Sequence, residues 1–316
     1  MNPWLDWSMP LITWLQGLGD WLTVPMQAFT FLGSEEFFLL IMPALLWCFE
    51  ARLGFRLGLI MLTSQGVNSI FKLLSGCPRP FWISTEVKAL STETGFGLPS
   101  GHSQTAVAIW GRLAAGLRRR WATILLALLI FMISISRLYL GMHFATDVLA
   151  GWLVGVALLL AFLRFEDPVG ARLSKLGVPM QVGIAFLASI AFILLGLLAQ
   201  ALSPAPMAEW VQTAAQHGIE IDPHSLEGMI SSAGALFGLG AGGALLFSWG
   251  RFDASGAWWK RILRYLVGLV GVVVIYFGLK LVLPEGVQIL RYLRYAMVGF
   301  WASYLAPRTF VAMRLA

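Results

Sequence analysis

Charged residues are scarce in this sequence. Asp, Glu, Lys and Arg make up 12% of its 316 residues, whereas a soluble domain contains about 25%. Apolar residues make up 58%, and the mean hydropathy is +0.77. The composition therefore predicts a polytopic membrane protein. Its net charge of +6 does not indicate a nucleic-acid partner, because the basic residues concentrate at the ends of apolar runs.

Cysteine and histidine are also scarce. The two cysteines, Cys48 and Cys77, are one predicted span apart, so they offer neither a disulfide framework nor a metal site, and we treat them as inert. Two of the four histidines, His217 and His224, lie in a polar loop, where we expect solvated side chains. The sequence therefore predicts a protein that uses no metal and no other cofactor.

Lysine and arginine are absent before Arg52. The start of the chain therefore lacks the basic region of a secretory signal peptide. Tryptophans recur there among leucines, at Trp4, Trp7, Trp14 and Trp21. We interpret residues 1–34 as an amphipathic segment of one or two helices that lies at the membrane interface. The alternative is an imperfect first transmembrane span.

A helix needs about 20 apolar residues to cross a bilayer, and several apolar runs in this sequence are close to that length. We predict spans at about 36–50, 54–74, 101–117, 122–140, 145–163, 181–202, 229–249, 265–283 and 295–312. The predicted fold is thus an all-α polytopic membrane protein, a helical bundle of about nine transmembrane spans. Residues 35–175 would form a catalytic core, and residues 176–316 an accessory transmembrane bundle.

Basic residues fall at alternate connections between these spans. They include Arg52 with Arg56, Arg118 to Arg120, Arg172 with Lys175, and Arg251. The positive-inside rule assigns those connections to the cytoplasm. The loop 203–228, on the other face, has acidic residues and no lysine or arginine. We therefore expect the polar span ends near residues 72–80, 99–102 and 136–147 to lie outside the cytoplasm. Because the sequence shows no eukaryotic targeting or retention signal, we expect a bacterial inner-membrane protein with this face in the periplasm.

Those span ends hold most of the polar chemistry of the chain. Phosphate sites use fixed positive charge, planar donors and the free N–H groups at a helix start. Lys72, Arg79 and Arg137 would supply the charge, while Ser100 and Gly101 open a predicted helix. Ionisable groups at membrane depth are costly and are kept mostly for function. This set therefore predicts a phosphate site.

Two histidines offer the reactive groups. His143 and Asp147 are four residues apart at the start of a predicted helix, which puts them on one face. A carboxylate there can accept a hydrogen bond from one imidazole nitrogen and leave the other nucleophilic. His102 would be the second histidine, able to protonate a leaving group.

The spacing of these residues resembles the three-part signature of the type 2 phosphatidic acid phosphatase family. In this sequence the three parts read Lys72-LLSGCP-Arg79-Pro80, Pro99-Ser100-Gly101-His102 and Ser136-Arg137-LYLGM-His143-FAT-Asp147. The resemblance covers roughly residues 36–165. The sequence around the motifs is most similar to sphingosine-1-phosphate phosphatases and bacterial lipid phosphatases.

The resemblance implies a role for each signature residue. His143 would attack phosphorus to give a phosphohistidine, Asp147 would orient His143, and His102 would serve as general acid and then as base. The phosphoryl oxygens would be held by Lys72, Arg79, Arg137, Ser100 and Gly101. The family needs no metal. The implied function is hydrolysis of a lipid phosphomonoester or pyrophosphate within the bilayer. The alternatives are a phosphotransferase with the same intermediate, or a lipid transporter or scramblase that only binds headgroups.

Several features outside the signature predict packing. Gly151 and Gly155 continue the helix face of Asp147, which favours close approach to a neighbouring helix. Asn68 shares a helix face with Lys72, either to steady it or to bond another helix. In the C-terminal part, glycines recur at a spacing of four residues, at Gly234, Gly238 and Gly242. These predict an accessory bundle or a surface for a homo-oligomer.

Overall fold

The computed structural model describes residues 7–282, 284 and 286–316. Trp4, part of the predicted interfacial segment, lies outside the described residues. The described part contains helices and no strand. In chain order the helices are α1 Met9–Gly17, α2 Thr23–Phe31, α3 Glu35–Cys48, α4 Ala51–Ser75, α5 Pro80–Ile83, α6 Gly101–Leu117, α7 Arg120–Tyr139, α8 Ala145–Leu173, α9 Val178–Leu202, α10 Ala208–Gln216, α11 Glu227–Trp249, α12 Trp258–Val282, α13 Gln288–Phe300 and α14 Ala306–Ala312.

Six stretches within the described residues are long and apolar enough to cross a membrane. They are Ala51–Ile83, Arg120–Tyr139, Ala145–Leu173, Val178–Leu202, Glu227–Trp249 and Trp258–Val282. A seventh results if Asp20–Phe31 and Glu35–Cys48, bent by 44°, count as one span. The all-helical membrane fold is therefore confirmed, whereas the predicted count of about nine spans is not.

Helix length explains the difference from the predicted count. Helix α3 has 14 residues and would extend about 21 Å at 1.5 Å per residue, short of a hydrocarbon core of about 30 Å. Helix α6 has 17 residues. The predicted last span, 295–312, is divided into α13, a π-helical turn at Trp301–Leu305, and α14.

The chain divides into two compact units. The first comprises Met1–Phe37 (described from Trp7), Val67–Ala161 and Gly196–Ser225. The second comprises Phe38–Gly66, Phe162–Leu195 and Leu226–Ala316. The changes from one unit to the other include points inside α4, α8 and α9. The ranges 1–34, 35–175 and 176–316 predicted from sequence do not coincide with these units.

The N-terminal helices pack on the core of the first unit. Ile12 and Met26 are buried in it together with Trp82, Phe96 and Phe144. Gln16 fastens α1 to the rest of the unit, since its Nε2 donates to the carbonyls of Lys88 at 2.8 Å and Tyr139 at 2.9 Å. The exposed side of this segment carries Trp14 and Trp21, exposed by 61% and 73%. Its location at a membrane interface stays a prediction.

Two glycines let α8 lie directly against α6, as the sequence predicts. A Cβ on Gly151 would lie 2.7 Å from the carbonyl oxygen of Ser100, and one on Gly155 would lie 2.7 Å from that of Gln104. Asn68 joins α4 to the same helix start, donating to Pro99 O at 3.1 Å and to the Gln104 side chain at 3.0 Å. Asn68 therefore holds the beginning of α6.

In the second unit the spaced glycines of α11 face α13 and the turn that follows it. A Cβ on Gly234 or Gly238 would meet backbone of Tyr292 or Ala296, and one on Gly242 would meet the side chain of Ser303. The glycine spacing is thus used between helices of one chain. A homo-oligomer built on this surface stays a prediction.

Candidate active site

Helix ends of the first unit carry all eight residues predicted for the site. Lys72 is in the last turn of α4, and Arg79 directly precedes α5. Ser100 is the N-cap of α6, which begins at Gly101 and His102. Arg137 is in the last turn of α7. His143 lies in the turn before α8, whose first turn contains Asp147.

The nucleophile candidate is held at both imidazole nitrogens. His143 Nδ1 lies 3.1 Å from Asp147 Oδ2, and His143 Nε2 lies 3.3 Å from Arg79 Nη1. A guanidinium only donates, so Nε2 is the acceptor in this contact. The ring proton is therefore on Nδ1, directed at the carboxylate, and Nε2 presents a lone pair. Asp147 is itself fixed by the amide of Phe144, at 2.9 Å.

The surroundings of His143 keep its ring neutral. Burial and the positive charges of Arg79, Arg137 and Lys72 hold the pKa of His143 well below its usual value. A neutral imidazole has the lone pair that nucleophilic attack requires. The site can therefore present an unprotonated Nε2 at neutral pH.

Arg79 is fully buried and fixed by backbone carbonyls. Its Nε donates to Gly95 O at 2.6 Å, its Nη1 to Met142 O at 3.0 Å and its Nη2 to Phe96 O at 3.0 Å. These bonds orient the guanidinium from the 84–100 loop on one side and the α7–α8 turn on the other. A guanidinium fixed in this way needs no further ordering to contact an anion.

The start of α6 has a more structural use than the sequence indicates. Ser100 Oγ accepts from the Ser103 amide at 3.5 Å and from the Ser103 hydroxyl at 3.2 Å, so it caps the helix. The Ser100 amide donates to Asp147 O at 2.9 Å, which joins α6 to α8. The amides of Gly101 and His102, in the first turn, have no acceptor within the helix. They can therefore donate to a bound phosphate.

Lys72 and His102 complete the set through charge. Both lie within electrostatic reach of His143 and of the carboxylate of Glu93. The structure therefore brings the signature residues into one cluster, in which Arg79 contacts Nε2 of His143 while Arg137 and Lys72 add positive charge nearby. Within the described residues, no three His, Cys, Asp or Glu side chains form a group that could hold a metal ion.

Glu93 is a site residue that sequence reasoning missed. Its Oε1 accepts from Arg137 Nη2 at 2.6 Å and its Oε2 from Arg79 Nη2 at 3.3 Å. Burial would raise the pKa of the Glu93 carboxyl, but Arg79, Arg137 and Lys72 outweigh burial and hold that pKa well below its usual range. The available signal was an acidic residue in the same polar loop as Arg79.

The histidines of the 203–228 loop are not simply solvated, so that prediction was wrong. His217 contacts Phe81 ring to ring at 6.0 Å, and His224 contacts Phe96 at 5.7 Å. In the same region the Asp222 amide donates to Thr94 O at 3.1 Å. Residues 203–225 therefore pack on the loop that carries Arg79 and Glu93. Aromatic and backbone contacts over such sequence distances leave no pattern in the sequence.

Comparison with known families agrees with the geometry. Residues 53–170 match the PAP2 superfamily. Residues 230–316 match the PAP2 superfamily phosphatase, transmembrane extension. The two matches together cover more than half of the chain. The protein is therefore an integral membrane protein of the PAP2 superfamily, and the family predicted from the motifs is confirmed.

The similar proteins include phosphatases of several kinds. Phosphatidylglycerophosphatase B from Bacillus subtilis (strain 168) is 28% identical over 165 residues, covering 47% of this chain and 77% of the relative. Glucose-6-phosphatase 3 from Homo sapiens is 31% identical over 172 residues, covering 46% and 47%. Sphingosine-1-phosphate phosphatase 1 from Rattus norvegicus is 27% identical over 144 residues, covering 44% and 34%. The chain thus spans about half or less of the length of the last two relatives.

One solved structure is also similar. The first transmembrane PAP2 type phosphatidylglycerolphosphate phosphatase from Bacillus subtilis matches with 25% identity and a TM-score of 0.46. The match covers 53% of this chain and 89% of that one.

Proposed function

We propose that this protein is a membrane phosphatase that hydrolyses a lipid phosphomonoester or pyrophosphate through a phosphohistidine. The observation that carries the proposal is the chain of contacts Asp147–His143–Arg79. It directs a neutral Nε2 into a cluster of guanidinium groups. Binding alone does not need an oriented nucleophile, so this arrangement favours catalysis over a transporter or scramblase.

The first step would transfer the phosphoryl group to His143. As the substrate binds, Arg79 Nη1 turns from Nε2 to a phosphoryl oxygen. The freed Nε2 lone pair attacks phosphorus, and the bond from phosphorus to the leaving oxygen breaks. His102 gives a proton to that oxygen; the bound phosphate, an anion, favours the protonated form of His102. Arg79, Arg137 and Lys72 stabilise the charge on the phosphoryl oxygens, with the Gly101 amide adding a hydrogen bond.

The second step would return His143 to its starting form. His102, now neutral, takes a proton from a water molecule as the water oxygen attacks phosphorus. The bond from phosphorus to Nε2 breaks, and inorganic phosphate leaves. Asp147 keeps its hydrogen bond to Nδ1 and balances the positive charge of the phosphorylated ring. The step uses only this chain and water, so we expect metal-independent turnover.

Two arguments support a lipid as substrate. The site unit belongs to a chain whose helices are apolar and long enough to span a membrane, and two of the relatives above are named for lipid phosphates. A third is named for glucose 6-phosphate, a water-soluble sugar phosphate. Basic residues at alternate connections support a site on the non-cytoplasmic face of the membrane, which we propose to be the periplasmic face of a bacterial inner membrane.

The test is phosphate release by the purified protein from a panel of phosphates. The panel contains phosphatidate, a sphingoid-base phosphate, phosphatidylglycerophosphate, a polyprenyl pyrophosphate and glucose 6-phosphate, each assayed with and without EDTA. His143→Ala is the test variant, and His217→Ala is the matched control. We expect EDTA-resistant release from a lipid that is lost in His143→Ala and kept in His217→Ala.

Other outcomes would contradict parts of the proposal. Residual turnover in His143→Ala would exclude the phosphohistidine, and release from glucose 6-phosphate alone would exclude the lipid. The transferase alternative predicts new phosphorylated products when alcohol acceptors are added. No release from any substrate, together with transport of lipid between the leaflets of reconstituted vesicles, would favour the transporter.

A further inference from the structure

Glu93 occupies the space between the two guanidinium groups of the site. Its two carboxylate oxygens are divided between them, with Oε1 at 2.6 Å from Arg137 Nη2 and Oε2 at 3.3 Å from Arg79 Nη2. Carboxylate and phosphate oxygens suit the same guanidinium donors. The contacts that Glu93 makes are therefore the contacts that a bound phosphoryl group would need.

The three partners differ in how firmly they are fixed. The side chains of Arg79 and Arg137 are exposed by 0% and 1%, whereas that of Glu93 is exposed by 26%. Arg79 is also bonded to three backbone carbonyls. Glu93 is therefore the one of the three whose charged group can turn toward solvent. Either arginine would stay buried without its ion-pair partner.

The backbone next to Glu93 is anchored on both sides of the loop. Thr94 O accepts from the Asp222 amide at 3.1 Å. Gly95 O and Phe96 O both accept from Arg79. Rotation of the Glu93 side chain would break none of these bonds. The carboxylate can leave the guanidiniums while the loop stays in place.

We propose that Glu93 is the resident anion of this site, which a substrate phosphate must displace, and that this competition selects phosphomonoesters over phosphodiesters. The inference rests on the proposed phosphatase function. A phosphomonoester carries a charge of about −1.5 to −2 at pH 7, whereas a phosphodiester carries a single negative charge. Only the more highly charged group exceeds the single charge of Glu93.

This competition would matter in a membrane. Phosphodiester headgroups surround a protein in the bilayer at far higher concentration than any phosphomonoester. A cluster of Arg79, Arg137 and Lys72 with no anion of its own would be occupied by those headgroups. With Glu93 in place, a phosphodiester exchanges one single negative charge for another and gains little. Glu93 returns to the two guanidiniums when inorganic phosphate departs.

The experiment measures anion binding directly, apart from turnover. The purified full-length protein in detergent is titrated with inorganic phosphate by calorimetry, and phosphatidylglycerol in mixed micelles is tested as an inhibitor of hydrolysis. The test variant is Glu93→Gln, which keeps the shape of the side chain and removes its charge. Glu86→Gln is the matched control, since Glu86 is an exposed carboxylate in the same loop.

We expect Glu93→Gln to bind inorganic phosphate about tenfold to a hundredfold more tightly than the unmodified protein, the range of a lost charge-assisted hydrogen bond. We also expect phosphatidylglycerol to inhibit this variant and not the control. Tighter binding is a gain that general loss of structure does not produce. Unchanged or weaker phosphate binding in Glu93→Gln would contradict the proposal and would mean that Glu93 only orients the two arginines.

A second variant covers the case in which Glu93→Gln does not fold. Glu93→Asp keeps the charge but is one methylene shorter, so it reaches both guanidiniums less well, and it too should bind phosphate more tightly. Unchanged or weaker binding in that variant would overturn the proposal. Failure of the proposed phosphatase would show separately, as an unmodified protein that binds phosphate but hydrolyses nothing in the panel.

Discussion

At the scale of the residue, the two-sided contact of His143 makes Asp147 a control on the tautomer. In Asp147→Asn the amide oxygen can still accept from Nδ1 and from the Phe144 amide, because an amide nitrogen in that place would oppose the Phe144 N–H. The uncharged oxygen holds the Nδ1–H tautomer less firmly and does not balance the positive charge of the phosphorylated ring. We expect kcat for phosphate release to fall by about 10²–10⁴-fold with little change in KM. A variant within tenfold of the unmodified enzyme would mean that the charge of Asp147 neither holds the tautomer nor balances the phosphorylated ring.

The lowered pKa of His143 predicts where its ring becomes protonated. Because burial and the neighbouring cations disfavour the imidazolium, the neutral form should persist below the ordinary histidine pKa of about 6.5. We expect ¹⁵N NMR of histidine-labelled protein to show Nδ1 protonated and Nε2 unprotonated at about pH 6. His143→Ala identifies the signal by its loss. Half-protonation at or above about pH 6.5 would contradict the assigned environment.

Individual residues also show which contacts of the site could be predicted from the sequence. The pairing of His143 with Asp147 was predictable because a spacing of four residues fixes it within one stretch of chain. The ion pairs of Glu93 with Arg79 and Arg137 were not predictable, because Glu93 and Arg137 are 44 positions apart in the sequence. The same holds for His224, whose ring contact with Phe96 depends on how a distant loop folds. Local spacing predicts a motif, whereas tertiary contact completes the site.

At the scale of the element, the contact between α6 and α8 joins packing to chemistry. A methyl group on Gly151 would lie 2.7 Å from Ser100 O, so the start of α6 would have to shift. We expect Gly151→Ala to destabilise the protein by about 1–3 kcal/mol and to lower phosphate release. Thermal unfolding in detergent and the phosphate assay measure the two effects.

Gly183→Ala is the matched control for that substitution. Gly183 is also helical, in α9, and a Cβ there would meet nothing within 4 Å. Alanine favours a helix over glycine by about 1 kcal/mol, so this control should be as stable as the unmodified protein or more so. Equal effects of the two substitutions would show that helix propensity, and not the contact with Ser100, decides the result.

Helix packing was predictable where a pattern marks it and not elsewhere. The glycine spacing predicted close approach of two helices. Only the structure shows that Gly234 and Gly238 contact α13 of the same chain. Hydropathy predicted the long helices, whereas its count of about nine spans is not confirmed. It does not register the π-helical turn at Trp301–Leu305 that divides the last apolar run.

At the scale of the whole molecule, the C-terminal extension is not a separable addition. The second unit combines Phe38–Gly66 with Leu226–Ala316. Within it Trp47 Nε1 donates to Ala302 O at 2.7 Å, and Trp47 also packs against Gly268. A chain truncated after Ser225 would leave the Trp47 surface of α3 without these partners.

We therefore expect the fragment 1–225 to be unstable and inactive. Size-exclusion chromatography in detergent should show aggregation, and the phosphate assay should show no turnover, whereas the full chain purified in parallel is monodisperse. A monodisperse, active fragment would show that the family core folds without its extension. In that case the predicted division into a catalytic core and an accessory bundle would be the better description.

The orientation of the chain is the property that the charge pattern predicts most directly. If basic connections face the cytoplasm, the loop 203–228 and the site residues that its first part packs on face the outside. Two exposed positions test this, Glu209 in that loop and Arg119 in the triple arginine. Each is changed to cysteine in a background of Cys48→Ala and Cys77→Ser, because both native cysteines are free thiols.

An impermeant thiol reagent applied to intact bacterial cells should label Glu209→Cys and leave Arg119→Cys unlabelled until the cells are lysed. The two positions control each other, because a leaky membrane labels both at once. The reverse pattern would place the site in the cytosol and overturn the charge argument. The expected pattern would also identify the leaflet that contains the substrate, because His143 and the cationic side chains around it would then act only on phosphates of the outer leaflet.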